Sequence, residues 1–257
     1  MASAHAGVAG GGILQVHPTR RCNLACAHCY SGSSPRERDQ FPAAAIAAAI
    51  VDAAALGFDV VSLSGGEPLL YDGLDEILAA AEQVGSRVNL VSNGALIPTA
   101  RYARYAGRFG VVALSLDGTR ERHNAVRGSR RSFEQVGSAA ALLRDAGQAF
   151  GIIHTLCAES LAELEEVAAL ADEWGAALLQ LHPFEPAGRG AEASGMTALD
   201  GEQRLDALLL AAVLGDAHPR LRIQLDLVHR LLARRAPAAI HGAPLAALRR
   251  VQPVTPK

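Results

Sequence analysis

Short apolar runs alternate with longer amphipathic stretches along most of this chain, and that rhythm limits its fold more than any other feature. The runs Ile13–His17, Asp59–Ser64, Val88–Ser92, Val111–Leu116, Phe150–Thr155 and Leu178–His182 read as strands, with β-branched pairs such as Val60 and Val61. Pro42–Leu56, Leu74–Val84, Thr99–Ala106, Phe133–Ala146, Ser160–Trp174 and Asp200–Gly215 read as helices. Pro42 suits a first turn, Ser132 is placed to cap Phe133–Ala146, and Gly147 stops that helix. Such alternation predicts parallel βαβ units with right-handed crossovers, in an α/β fold. They can close into a full or partial barrel or lie open as a doubly wound sheet, and periodicity does not separate the two. In both, ligands gather at the carboxyl ends of the strands. Polar and glycine-rich segments fall at those ends: a cysteine cluster after the first strand, Gly65-Gly66-Glu67-Pro68 after the second, Ser92-Asn93-Gly94 after the third and Asp117-Gly118 after the fourth.

The 257 residues, 50% of them hydrophobic, suffice for one substantial core. A formal net charge of −2 supplies no basic field for nucleic acid or an anionic membrane, so neither is expected as a partner. No apolar run reaches the roughly 18 residues that a membrane span needs; Pro42–Leu56 is too short and stops at Gly57. Residues 1–12 are small and glycine-rich, lack a signal-peptide pattern, and are expected to form a disordered tail. Residues 13–190 form the expected core domain. Residues 191–257 read as a C-terminal extension, native in length or cut short, with Arg220–Leu227 as a candidate seventh strand and Val228–Arg235 as a short helix.

Of four cysteines, three fall in Cys22-x3-Cys26-x2-Cys29 and Cys157 stands alone. A secreted disulfide framework would spread them in pairs; three close thiols point to metal binding in a reducing, cytoplasmic compartment. Structural zinc takes four ligands, commonly from two separated pairs, and His28 is awkwardly placed to be the fourth beside Cys29. Three thiolates leave one metal position open to chemistry. A zinc site or a chance cluster remains the alternative from this motif alone.

The segment Arg21–Tyr30 resembles the cluster loop of the radical S-adenosylmethionine (SAM) superfamily, where C-x3-C-x2-C follows the first barrel strand. His28 stands where that family commonly has an aromatic residue, and Tyr30 follows. Gly65-Gly66-Glu67-Pro68 looks like the family's GGEP, and Ser92-Asn93-Gly94 like the element that approaches the methionine or ribose of SAM. Ser115-Leu116-Asp117-Gly118, then His123-Asn124-x-x-Arg127-Gly128 and Phe133, resemble the subgroup that matures peptides and modified cofactors. Leu181-x-Pro183-x-x-Pro186-x-Gly188-Arg189 looks like that subgroup's sixth-strand end. The resemblance runs from Ile13 to Gly190.

The resemblance implies a partial (β/α)6 TIM-like barrel with a [4Fe–4S] cluster on Cys22, Cys26 and Cys29. It implies SAM held at the open iron and cleaved by one electron to methionine and a 5′-deoxyadenosyl radical, with reduced flavodoxin or ferredoxin as donor. Gly65, Gly66, Glu67 and Pro68 would meet the ammonium end of SAM, Arg127 its carboxylate, and Ser92, Asn93, Ser115 and Leu181 the rest. A surface salt bridge is the plainer role for Arg127, local turn bonding for Ser92 and Ser115, and a structural or rim position for Asp117. His154, Cys157, His182 and Glu185 lie near strand ends and are candidates to face substrate, although a lone strand histidine is more often a satisfied core residue. No catalytic acid or base is assigned. The expected substrate is a peptide or protein, with a tetrapyrrole or another small molecule as the alternative; a non-enzymatic iron–sulfur sensor or zinc module is the reading from another class. Many members with this core continue into a cysteine-rich region, whereas here no cysteine follows Cys157. A single-cluster enzyme or a shortened chain is therefore expected.

Overall fold

The computed structural model describes residues 11–193 and 195–226. Seven strands form one sheet in the order β1-β2-β3-β4-β5-β6-β7, every neighbouring pair parallel. They are β1 (Gly12–Val16), β2 (Phe58–Leu63), β3 (Arg87–Ser92), β4 (Val112–Ser115), β5 (Phe150–Leu156), β6 (Leu178–Pro183) and β7 (Arg222–Leu225). Sequential order without reversal decides between the two expected architectures, because a doubly wound sheet must reverse at a switch point. The sheet is also curled. Arg189, which follows β6, donates its backbone N–H to the Cys29 carbonyl at 3.0 Å, and Cys29 follows β1. Segments from strands so far apart in the sheet meet only if it bends into an arc, so this is the expected partial barrel, extended by a seventh strand.

The helices are α1 (Ala43–Ala55), α2 (Leu74–Gln83), α3 (Ala100–Ala103), α4 (Arg120–Arg127), α5 (Ser132–Asp145), α6 (Leu164–Trp174) and α7 (Gly201–Ala217). One core joins the helices to the convex face of the sheet: Leu63, Leu90, Leu114, Ile152 and Leu179 alternate along their strands and pack among Ile77, Val136, Leu143, Val167 and Leu208. Period-two alternation selects these residues, and the opposite faces of the same strands are left for a different use.

Several expectations need correction. Helix α4 was not foreseen: Arg120–Arg127 carries almost no apolar stripe and buries only His123, Val126 and Arg127. Ser132 opens α5 but does not cap it; Asn124 of α4 does so, its Oδ1 accepting from the Phe133 N–H at 3.0 Å. The helix expected over Thr99–Ala106 shortens to α3, and the first part of Ser160–Trp174 is a tight turn over Ala158–Glu163. Gly12 belongs to β1, not to the tail. The helix expected over Asp200–Gly215 and the candidate strand Arg220–Leu227 are present as α7 and β7, so the sheet continues beyond residue 190. Residues 1–10 and the helix expected at Val228–Arg235 lie outside the described residues. Among the described residues no helix is long and apolar enough to cross a membrane.

Candidate functional site

The concave face of the arc carries polar side chains beside apolar ones such as Val91 and Ile153. Gln15, Ser62, Ser64, Ser115, Thr155, Gln180 and His182 point inward from successive strands and line a cavity of about 720 Å³. A closed barrel of this type fills its interior with branched apolar side chains; hydroxyls and amides at these positions instead make room for a ligand. The register places them in layers. Ile153 is level with Gln180 and Gln180 with Gln224, while Thr155 is level with His182 one layer up.

Cys22, Cys26 and Cys29 all line this cavity, on the loop after β1. The loop is built from outside as much as from within. Gly66 donates to the Thr19 carbonyl and Glu67 to the Arg21 carbonyl, both at 2.9 Å, so the turn after β2 is zipped to the residues just before Cys22. A Cβ at Gly66 would lie 2.3 Å from the Arg21 oxygen, so glycine is demanded by the loop's own packing. From the far side of the arc Arg189 clamps the loop, its Nε donating to the Cys26 carbonyl at 2.9 Å, Nη1 to Gly32 at 3.1 Å and Nη2 to Ser33 at 2.6 Å.

Each sulfur has a polar hydrogen-bond partner. Leu24 N–H and Asn93 Nδ2 face Cys22 Sγ at 3.5 and 3.8 Å, Arg127 Nη1 faces Cys26 Sγ at 3.6 Å, and Ser31 Oγ lies 3.3 Å from Cys29 Sγ. Burial pushes the Cys22 thiol up to about 12 and raises Cys26 as well, so a bound cation must supply the charge that turns them into thiolates. Donors aimed at sulfur suit the anionic form. Among the described residues no three His, Cys, Asp or Glu side chains gather tightly around a single-ion position, the three cysteines included. The donor set fits a polynuclear cluster on three thiolates.

Behind the cysteines lies a fully buried carboxylate. Glu67 accepts from Ser92 Oγ at 3.1 Å, from Asn93 N–H at 3.1 Å and from Leu69 N–H at 3.4 Å. Burial raises its pKa to about 7 against the pull of these hydrogen bonds. Asn93 in turn donates Nδ2 to Asn23 Oδ1 at 2.8 Å. The expected ammonium ligand is thus turned into the protein, where it positions Ser92 and Asn93 beneath the cysteine loop.

A second buried network holds the loop from the β4–β5 side. Asp117 Oδ2 lies 2.6 Å from Arg127 Nε and 3.3 Å from His28 Nε2, Asp117 Oδ1 accepts from Thr155 N–H at 3.2 Å, and the Asp117 N–H donates to His123 Nδ1 at 3.1 Å. Burial pushes the Asp117 carboxyl up, but Arg127, with His28 and His123, outweighs it and holds the group well below the usual carboxylate range. Burial lowers His28 and His123 to about 4, so both are neutral at pH 7. The run His123-Asn124-x-x-Arg127-Gly128 is therefore a structural module: His123 and Arg127 grip Asp117, Asn124 caps α5, and Gly128, at φ 65°, ends α4.

Of the residues singled out from sequence, Gly65, Gly66, Ser92, Asn93, Ser115, Arg127 and the three cysteines line the cavity. Glu67, Pro68 and Leu181 are buried and do not. His182 and Glu185 line it, whereas His154 is a core residue that donates Nδ1–H to the Leu116 carbonyl at 2.9 Å. Cys157 is buried at the start of the Ala158–Glu163 turn, away from the cavity. Asn23, Ser31 and Asp226 were missed: each is an ordinary polar residue in sequence, and no spacing rule marks it.

A family model described as the Radical SAM superfamily matches residues 16–171. The AdoMet-dependent heme synthase of Methanosarcina barkeri is 32% identical over 195 residues, covering 73% of this chain and 54% of that protein. The mycofactocin maturase MftC of Mycobacterium ulcerans is 35% identical over 179 residues, covering 68% and 47%. The structure of Streptococcus suis SuiB bound to its precursor peptide SuiA superposes with a TM-score of 0.69 at 19% identity, covering 88% of this chain and 51% of that one. The chain spans about half the length of the curated relatives it matches.

Proposed function

The chain belongs to the radical SAM superfamily, and from that premise we propose that it holds a [4Fe–4S] cluster on Cys22, Cys26 and Cys29, cleaves SAM reductively and takes hydrogen from a peptide or protein. The family is one of enzymes that use this cluster and SAM. The observation that carries the proposal is the placing of three cysteines, each with a polar hydrogen-bond partner, on one wall of a cavity lined by side chains of mixed polarity.

When bound, the cluster supplies one electron at low potential and SAM the radical precursor. The chain's own part is positional. Arg189 and the Gly65-Gly66 turn hold the cysteine loop; Glu67, through Asn93, steadies the Cys22 end; Asp117, through Arg127, steadies the Cys26 end. Gly65, Gly66, Asn93 and Ser115 offer backbone and side-chain contacts to SAM at the rim of β2 to β4. The curved wall, backed by the apolar core, limits water around the reacting atoms. Reduced flavodoxin or ferredoxin in a reducing cytoplasmic compartment is the fitting electron source.

The 35% identical mycofactocin maturase supports a peptide substrate; the 32% identical heme synthase supports a tetrapyrrole as the second reading. The test is anaerobic reconstitution with iron and sulfide, reduction by dithionite, addition of SAM and assay for 5′-deoxyadenosine, with Cys26→Ala alongside. Deoxyadenosine from the wild type alone is the expected result. A well-formed cluster that neither binds nor cleaves SAM would overturn it. Acceleration of cleavage by a candidate peptide supports the first substrate reading, and acceleration only by a porphyrin the second.

A further inference from the structure

The walls of the cavity differ in charge. Among the described lining residues the only arginine or lysine is Arg127, and that guanidinium is committed to Asp117 and Cys26. Burial lowers the pKa of His17, so it adds no positive charge at pH 7. Two carboxylates, Glu185 and Asp226, lie on the β6–β7 side. Asp226 continues the β7 ladder, its N–H donating to the Leu181 carbonyl at 2.8 Å, which brings it beside His182. Its Oδ2 accepts from Gln180 Nε2 at 2.5 Å and lies 3.6 Å from His182 Nδ1. His182 and the Gln180 amide hold Asp226 below the ordinary carboxylate range against burial, so it is ionised at neutral pH. Its side chain still keeps 30% of its surface open.

We propose that the β6–β7 end of the cavity is a subsite for a cationic group of the substrate, an ammonium or guanidinium, with Asp226 as its counter-charge. The inference rests on the reading above and deepens it by naming what the substrate presents. An ionised carboxylate that is only partly satisfied attracts a charged donor and repels another carboxylate. On that reading the charged end of SAM is assigned to the cysteines and the glycine turn after β1 and β2, whereas Asp226 follows β7. A lysine or arginine side chain or a free amino terminus of a peptide fits. A macrocycle rimmed with carboxylates meets like charge.

The test uses cluster-loaded, SAM-bound protein in the oxidised, diamagnetic state. The probes are three blocked tripeptides differing only in a central lysine, norleucine or glutamate, together with coproporphyrin III, and binding is followed by saturation-transfer NMR. The lysine peptide is expected to bind about tenfold tighter than the glutamate peptide. Asp226→Asn should erase that preference and Asp226→Lys should invert it. Equal signals from the peptides (including none from any), a lysine preference that survives Asp226→Asn, or tightest binding by coproporphyrin would overturn the proposal. Cluster content and SAM affinity are measured on the same samples. If these fail, the enzyme reading falls, and the peptide preference is still read on the metal-free protein, because Gln180 and the β6–β7 ladder place Asp226 without help from the cysteines.

Discussion

Arg127 Nε lies 2.6 Å from Asp117 Oδ2, and the same guanidinium points Nη1 at Cys26 Sγ, 3.6 Å away. One buried side chain thus joins the end of β4 to the cysteine loop. Both partners are nearly inaccessible, with side chains 10% and 1% exposed, so each relies on the other for its charge.

Asp117→Asn strands that charge. Breaking a buried pair by removing one partner costs about 3–5 kcal/mol, and a urea midpoint on the metal-free protein should fall accordingly. Adding Arg127→Met to Asp117→Asn should cost less than the two single changes summed, since the stranded cation is then gone.

Arg127→Met should lower the reduction potential of the loaded cluster, because a cationic donor to a ligand sulfur favours the more negative reduced state. A tenfold change in the one-electron equilibrium corresponds to about 59 mV, and a shift of that order is expected in a spectroscopic redox titration. Arg127→Lys should restore part of it. An unchanged potential in Arg127→Met would mean that the contact with Cys26 is packing alone.

Glu67 makes stability depend on pH. Its pKa rises from an ordinary 4.5 to about 7 on folding, chiefly by burial. The folded state then binds the proton more tightly than the unfolded chain, so this contribution is fully present below about 4.5 and is lost as pH rises through about 7. Urea midpoints of the metal-free protein should fall across that window, and Glu67→Gln should flatten the fall.

Arg189→Ala removes three side-chain hydrogen bonds to the cysteine loop. Gly188→Ala puts a Cβ 2.1 Å from the Tyr30 oxygen at a φ of +55°. Both changes act on loop docking and leave the strand–helix core alone. Iron content after reconstitution should drop sharply in each, with far-ultraviolet circular dichroism unchanged.

Asn124→Ala tests the cap across the α4–α5 junction. Losing a side-chain cap costs about 1 kcal/mol, measurable as a lower thermal midpoint, while Ser132→Ala should cost less because Ser132 does not cap α5.

Much of this architecture was written locally. Alternation along Val88–Ser92 and Leu178–His182 states which side chains face the helices, and that pattern recovered six strands, the candidate seventh, and the ends where ligands gather. The spacing of Cys22, Cys26 and Cys29 and the glycines at 65 and 66 are likewise readable in a short window, since a tight loop and a close backbone approach each restrict residue type within a few positions. Helix α4 escaped because its burial comes from His123 and Arg127, polar residues that go inside only when Asp117 is there to receive them. The inward turn of Glu67, the clamp of Arg189 and the approach of Asp226 to His182 escaped for the same reason. Each joins groups separated by tens of residues or more, and their meeting depends on how far the sheet curls and in what register its strands lie. Periodicity carries no record of that curl, because a flat sheet and an arc bury the same alternate residues; only the completed packing of seven strands brings these side chains together.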